Sequence, residues 1–97
     1  MPKRYPTLTP REVMDILQAR GFRLHRTVGS HAQYVCLLRD QNRRVTVDLH
    51  ISQFDDYLLK LMIQQSALTR EEFYGSTKDA AKKINLRADA FPIPLKK

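Results

Sequence analysis

Along residues 10–20 the apolar positions Val13, Ile16 and Leu17 fall at i, i+3 and i+4, the spacing of one helix face. Thr9-Pro10-Arg11-Glu12 supplies a start for that helix. Thr9 can cap it, Pro10 suits the first helical position, and Glu12 stands where a capping box requires it. Gly21 after Arg20 reads as a left-handed stop. From Phe22 the period changes to two, predicting a strand to about Thr27, a turn over Val28-Gly29-Ser30 and a second strand from His31 to Arg39. After a polar connection, Asp40-Gln41-Asn42-Arg43, the alternation of Arg44 to His50 predicts a third strand. A second helix is expected from Asp55 to Ser66 with Leu58, Leu61 and Met62 buried, and Thr69-x-x-Glu72 opens a short helix ending at Gly75. Within Ser76–Lys97, which reads as an appendage, residues 78–83 are weakly helical in pattern.

The order helix, three strands, helix predicts an α+β fold. Its three-stranded antiparallel meander carries both helices on one face and leaves the other open. Strand parity turns Ala32, Tyr34, Cys36, Leu38, Val45, Val47 and Leu49 toward the helices. His25, His31, His50, Gln33, Thr46, Asp48, Arg23, Arg39 and Arg44 then collect on the open face. A two-residue turn at Gln41-Asn42 pairs Leu38 with Val45 and Gln33 with His50, making His31 a diagonal neighbour of His50. A three-residue first turn pairs Thr27 with His31 and Leu24 with Tyr34, whereas a two-residue Gly29-Ser30 turn pairs Val28 with His31 and mixes the faces.

Charge sharpens this picture. The 97 residues carry a net charge of +7, distributed as +1 over residues 1–19, +5 over 20–44, −3 over 45–75 and +4 over 76–97. A basic sheet region and a basic tail around an acidic middle point to a polyanion on one side and a protein partner elsewhere. The single cysteine, Cys36, excludes an internal disulfide framework and any multi-cysteine zinc site, and its inward parity assigns it to packing. No apolar run is long enough to span a bilayer and no secretory signal opens the chain, so a cytoplasmic protein without a membrane role is expected. Neither a cofactor nor a metal is called for. Glu71 and Glu72 read as helix-start charges.

Histidine exchanges protons near neutral pH, and arginine holds phosphate oxygens in bidentate fashion. Cleavage of RNA needs no metal when a base takes the 2′-hydroxyl proton, an acid protonates the leaving oxygen and a cation stabilises the phosphorane. Three histidines among arginines on one face could supply these roles; equally, they could be a solvated polar surface.

Three stretches carry a resemblance to a known family: Gly21-Phe22 … Gly29-Ser30-His31-Ala32-Gln33-Tyr34, Val45-Thr46-Val47-Asp48-Leu49-His50, and Leu68-Thr69-Arg70-Glu71-Glu72-Phe73. In this order and spacing, over about residues 9–75, the chain resembles the HicA family of type II toxin–antitoxin toxins. The resemblance implies a double-stranded-RNA-binding-like α-β-β-β-α fold, mRNA cleavage without the ribosome, and a HicB-type antitoxin partner. It places the catalytic histidine at His31, which parity also puts on the open basic face. His50 is the candidate second proton-transfer group, and Arg23, Arg26, Arg39 and Arg44, with Gln33 and Ser30, are the candidate RNA contacts. The expected division is an N-terminal arm over 1–8, the toxin domain over 9–75 and a basic extension over 76–97. Two departures stand out: Asp48 replaces the family's proline before the third-strand histidine, and Asp55-Asp56 makes the approach to the second helix acidic. The alternative readings are a non-catalytic RNA-binding module and an interaction subunit docking through the acidic middle.

Overall fold

The computed structural model describes residues 4–95. Its elements are α1 (Pro10–Ala19), β1 (Arg23–Val28), β2 (His31–Leu38), β3 (Gln41–Asp48), α2 (Asp56–Ser66), α3 (Arg70–Tyr74) and α4 (Lys78–Lys83). The strands form one antiparallel sheet in the order β1-β2-β3. Both expected capping boxes are made: Thr9 with Glu12 at α1, and Thr69 with Glu72 at α3. Gly21 follows α1 at φ 91°, the left-handed backbone that stops a helix.

Ala32, Tyr34, Leu38, Val45 and Val47 are buried on one sheet face. They pack with Val13, Ile16 and Leu17 of α1, Leu59 and Met62 of α2, and Phe73 and Tyr74 of α3. The opposite face, which carries His31, Gln33 and Val35, is open. The buried stripe of α2 is Leu59, Met62, Ile63 and Ser66 rather than Leu58, Leu61 and Met62. With five apolar residues between 58 and 63, periodicity does not choose between the two settings, and contact with the sheet does. Leu61 is left 42% exposed.

Both hairpin registers differ from expectation. The β2–β3 turn is Arg39-Asp40, both residues left-handed (φ 51° and 62°), and not Gln41-Asn42. Positive φ at both central residues gives the twist of a two-residue hairpin. Leu38 therefore pairs with Gln41 instead of Val45, Gln33 with Thr46 instead of His50, and His31 with Asp48. The slip of four residues preserves the facing of every side chain within the strand while changing its partner. The third strand ends at Asp48, so Leu49 and His50 lie in the turn beyond it and Leu49 is not a core residue.

At the first hairpin Leu24 pairs with Tyr34 as expected, but Val28, not Thr27, pairs with His31 across a two-residue Gly29-Ser30 turn. A bulge at His25 absorbs the difference and returns Leu24 to the side of Tyr34, while Val28 stays on the open face beside His31 and Thr27 beside Ala32. Gly29, at φ 60°, takes the first turn position, where a left-handed residue is required.

The segments flanking the sheet and its helices are packed against them. Leu8 is fully buried, and its carbonyl accepts from Phe54 N at 2.8 Å. Pro6 O accepts from Tyr74 Oη at 2.6 Å. The C-terminal extension is built into the fold: Ala80 and Ala81 are buried, and Ile93 N donates to Gly75 O. Arg20 clamps this junction, donating to Ser76 Oγ, Ile93 O and Glu72 O at 2.9, 2.6 and 2.7 Å. Lys3, Lys96 and Lys97, basic residues of the two termini, lie outside the described residues.

Candidate functional site

The register places two chemically complementary side chains opposite one another. His31, first residue of β2, pairs with Asp48, last residue of β3, and Nε2 stands 3.6 Å from Asp48 Oδ2. This exceeds hydrogen-bond length and is an electrostatic contact when the imidazole is protonated. His31 is 54% exposed in its side chain. Asp48 is held by its other oxygen, Oδ1, which accepts from His50 N at 2.9 Å and from Ser30 Oγ at 3.1 Å. These bonds favour the ionised carboxylate: the His50 amide foremost, then the Ser30 hydroxyl and the charges of the His31 and His50 imidazoles hold Asp48 below its ordinary value. The two histidines thus flank one fixed carboxylate, although His50 reaches it from a turn rather than from the strand face.

Arg26 pairs with Gln33 one row along the open face from His31, and Arg23 and Arg44 both pair with Val35 on the next row. The bulge at His25 brings Arg23 and Arg26 onto the same side. Near this row His25, Val35, Asn42, Arg43 and Arg44 line a shallow hollow of about 470 Å³. Val35 lies four residues along β2 from His31, about 13 Å at the rise of a strand. Among the described residues no carboxylate pairs with Arg23, Arg26 or Arg44, whereas Arg11, Lys60, Arg70 and Lys83 are each paired.

Arg39 is placed elsewhere. As a turn residue with left-handed backbone, it sends Nη2 to both oxygens of buried Glu72 (3.0 and 2.8 Å) and Nη1 to Ala67 O (2.7 Å). It joins the sheet to α3 and does not stand with the other arginines. The acidic approach to α2 is also engaged: Asp55 caps the helix by accepting from Leu58 N, and Asp56 pairs with Lys60 at 3.0 Å. Cys36 packs half-buried against the core, its thiol pushed up by burial.

Between the end of β3 and α2 lies a cleft of about 230 Å³, walled by His31, Thr46 and Asp48 on one side and by Leu58, Leu61 and Gln65 on the other. Gln65 Oε1 accepts from Thr46 N at 3.3 Å, closing the outer edge of β3. The roles of Asp48 and this cleft were not read from the sequence. Locating the second turn at Arg39-Asp40 would have put Asp48 opposite His31. Among the described residues, no group of three or more His, Cys, Asp or Glu could hold a metal ion, and no helix is long and apolar enough to cross a membrane.

The helix, open three-stranded sheet and covering helices, with an imidazole and a carboxylate at one end of the bare face, define a small α-β-β-β-α domain. Residues 10–68, more than half of the chain, match the family described as HicA toxin of bacterial toxin-antitoxin. The chain belongs to the HicA toxin family. No curated protein and no solved structure gives a significant match.

Proposed function

We propose that the protein is the toxin of a type II toxin–antitoxin pair and acts in the cytoplasm as a metal-independent endoribonuclease on mRNA, held in check by a HicB-type antitoxin. The observation that carries this reading is the exposed His31 imidazole facing a carboxylate that is itself fixed by two hydrogen bonds, beside arginines that no carboxylate neutralises. Asp48 facing Nε2 favours the tautomer with its proton on that nitrogen and leaves Nδ1 to accept one. His31 then takes the proton of a ribose 2′-hydroxyl, the 2′-oxygen attacks the adjacent phosphorus, and the bond from phosphorus to the 5′-oxygen breaks. His50 donates the proton that the leaving 5′-oxygen takes up. The products are a 2′,3′-cyclic phosphate and a 5′-hydroxyl, with no water or metal consumed. Arg26, one row from His31, faces the charge that develops on the phosphorane, and Arg23 and Arg44 hold flanking phosphates, with Gln33 and Ser30 at the same surface.

The test is incubation of a defined RNA in EDTA with the wild-type protein and with His31→Ala. A positioned acid or base contributes about 10²–10⁴-fold in rate, so the variant should keep its fold and its RNA affinity while cleavage falls by that factor. Equal cleavage by both proteins overturns the assignment of His31. RNA binding without cleavage by either identifies a non-catalytic RNA-binding module.

A further inference from the structure

We propose that the cleft between β3 and α2 is a nucleobase pocket, which receives an unpaired base of the nucleotide next to the scissile phosphate and so makes the enzyme selective for sequence and for single-stranded RNA. This rests on the ribonuclease reading above.

His31 and Asp48 form one wall, so whatever fills the cleft lies against the reacting group. The facing wall is apolar: Leu58, Leu61 and Met62 line it, a surface suited to the flat face of a base. Leu61 remains 42% exposed at this lip, whereas Leu59, Met62 and Ile63 of the same helix are buried. One polar group inside has a fixed orientation. Gln65 Oε1 is occupied by the Thr46 amide, so this cleft-lining side chain has its two N–H donors to offer an acceptor edge. The Thr46 hydroxyl adds a group that can donate or accept. An apolar slot with a few oriented polar groups reads the edge of a base that has left its stack, and duplex RNA offers no such base. The unneutralised arginines run along the adjoining face, so a strand whose phosphates lie there brings its next base to the slot.

A short 2′-fluoro RNA, which cannot be cut, tests this when the base is removed at one position after another and affinity is read by fluorescence anisotropy. Wild-type protein should lose about tenfold in affinity at one position and little elsewhere, the size of one base contact. Leu61→Trp, a substitution at an exposed site that fills the slot, should make that position no different from the others while melting like wild type. Gln65→Leu should flatten the preference among the four bases there. An affinity insensitive to base removal at every position overturns the proposal and leaves the cleft to a protein side chain. An unchanged position effect in Leu61→Trp overturns it too. A position effect that Leu61→Trp abolishes, in a protein that cuts no RNA, upholds the pocket and rejects the ribonuclease reading.

Discussion

Arg39 and Glu72 are joined by the most buried ion pair among the described residues, one guanidinium nitrogen touching both carboxylate oxygens at 3.0 and 2.8 Å. Glu72 is 1% exposed and also caps α3 through Thr69 N, so its charge is held from two directions. Removing one partner of such a pair takes away the charge that best offsets the other's burial. Arg39→Ala should lower stability by about 3 kcal/mol, read from urea unfolding. Its effect on RNA affinity should vanish once folded protein is compared with folded protein.

Arg23, Arg26 and Arg44 should behave in the opposite way. Each Arg→Gln change should leave the melting temperature nearly unaltered, because no described carboxylate depends on these side chains. The slope of log affinity against log salt for single-stranded RNA should fall by about 0.7 for each phosphate that is no longer neutralised. Titrations at several salt concentrations decide it, and an unchanged slope removes that arginine from the RNA path.

Asp48→Asn keeps the shape of the side chain and removes its charge. Cleavage should drop about tenfold or more through kcat, with KM and RNA affinity little changed, because Asp48 acts by positioning His31. The pH dependence of folding offers a second readout. Asp48 is held below the unfolded value of 3.8, so its stabilising contribution is present above that pH and is lost as pH falls through the folded value. The variant has no such contribution to lose, and acid melting curves of the two proteins should converge below that range.

Asp40 occupies left-handed backbone at φ 62°, where glycine meets no penalty and other residues do. Asp40→Gly should raise stability by about 0.5–1 kcal/mol, measured by chemical unfolding. A loss instead would mean that the carboxylate contributes more than the backbone gains.

Gly75 is needed for space rather than for conformation. A Cβ there would stand 2.6 Å from Glu71 O, 2.8 Å from Ile93 Cδ1 and 2.8 Å from Leu86 Cδ2. Gly75→Ala should therefore destabilise the protein by about 1–3 kcal/mol, since the first neighbour is backbone and cannot move aside. Ending the chain at residue 75 should lower the melting temperature as well, by removing two of the acceptors that hold Arg20 and the bond from Ile93 N to Gly75 O.

Most of the fold was legible because its signals are local. Capping boxes at Thr9 and Thr69, the stop at Gly21 and the alternation of β2 and β3 each depend on a few neighbouring residues. What was hidden depends on contacts distant in sequence. Four consecutive polar residues, Asp40 to Arg43, offer several turn positions, and neither Arg39 nor Asp40 advertises left-handed backbone as glycine would. Parity placed His31 and Asp48 on the same open face, whereas their standing opposite one another needed the register. The commitment of Arg39 to Glu72 spans 33 residues and leaves no local trace.

The two outer strands of the sheet are treated differently, and this bears on how arginine variants are interpreted. Gln65 of α2 covers the outer side of β3 at Thr46, while every residue of β1 is exposed, including Leu24 at 55% and Val28 at 51%. An uncovered strand with apolar side chains is a template on which a second copy of the chain can add a strand, and charge along it opposes that addition. Arg23 and Arg26, the residues proposed to meet phosphate, thus also oppose self-association. Neutralising both should make the protein aggregate more readily than wild type as its concentration rises.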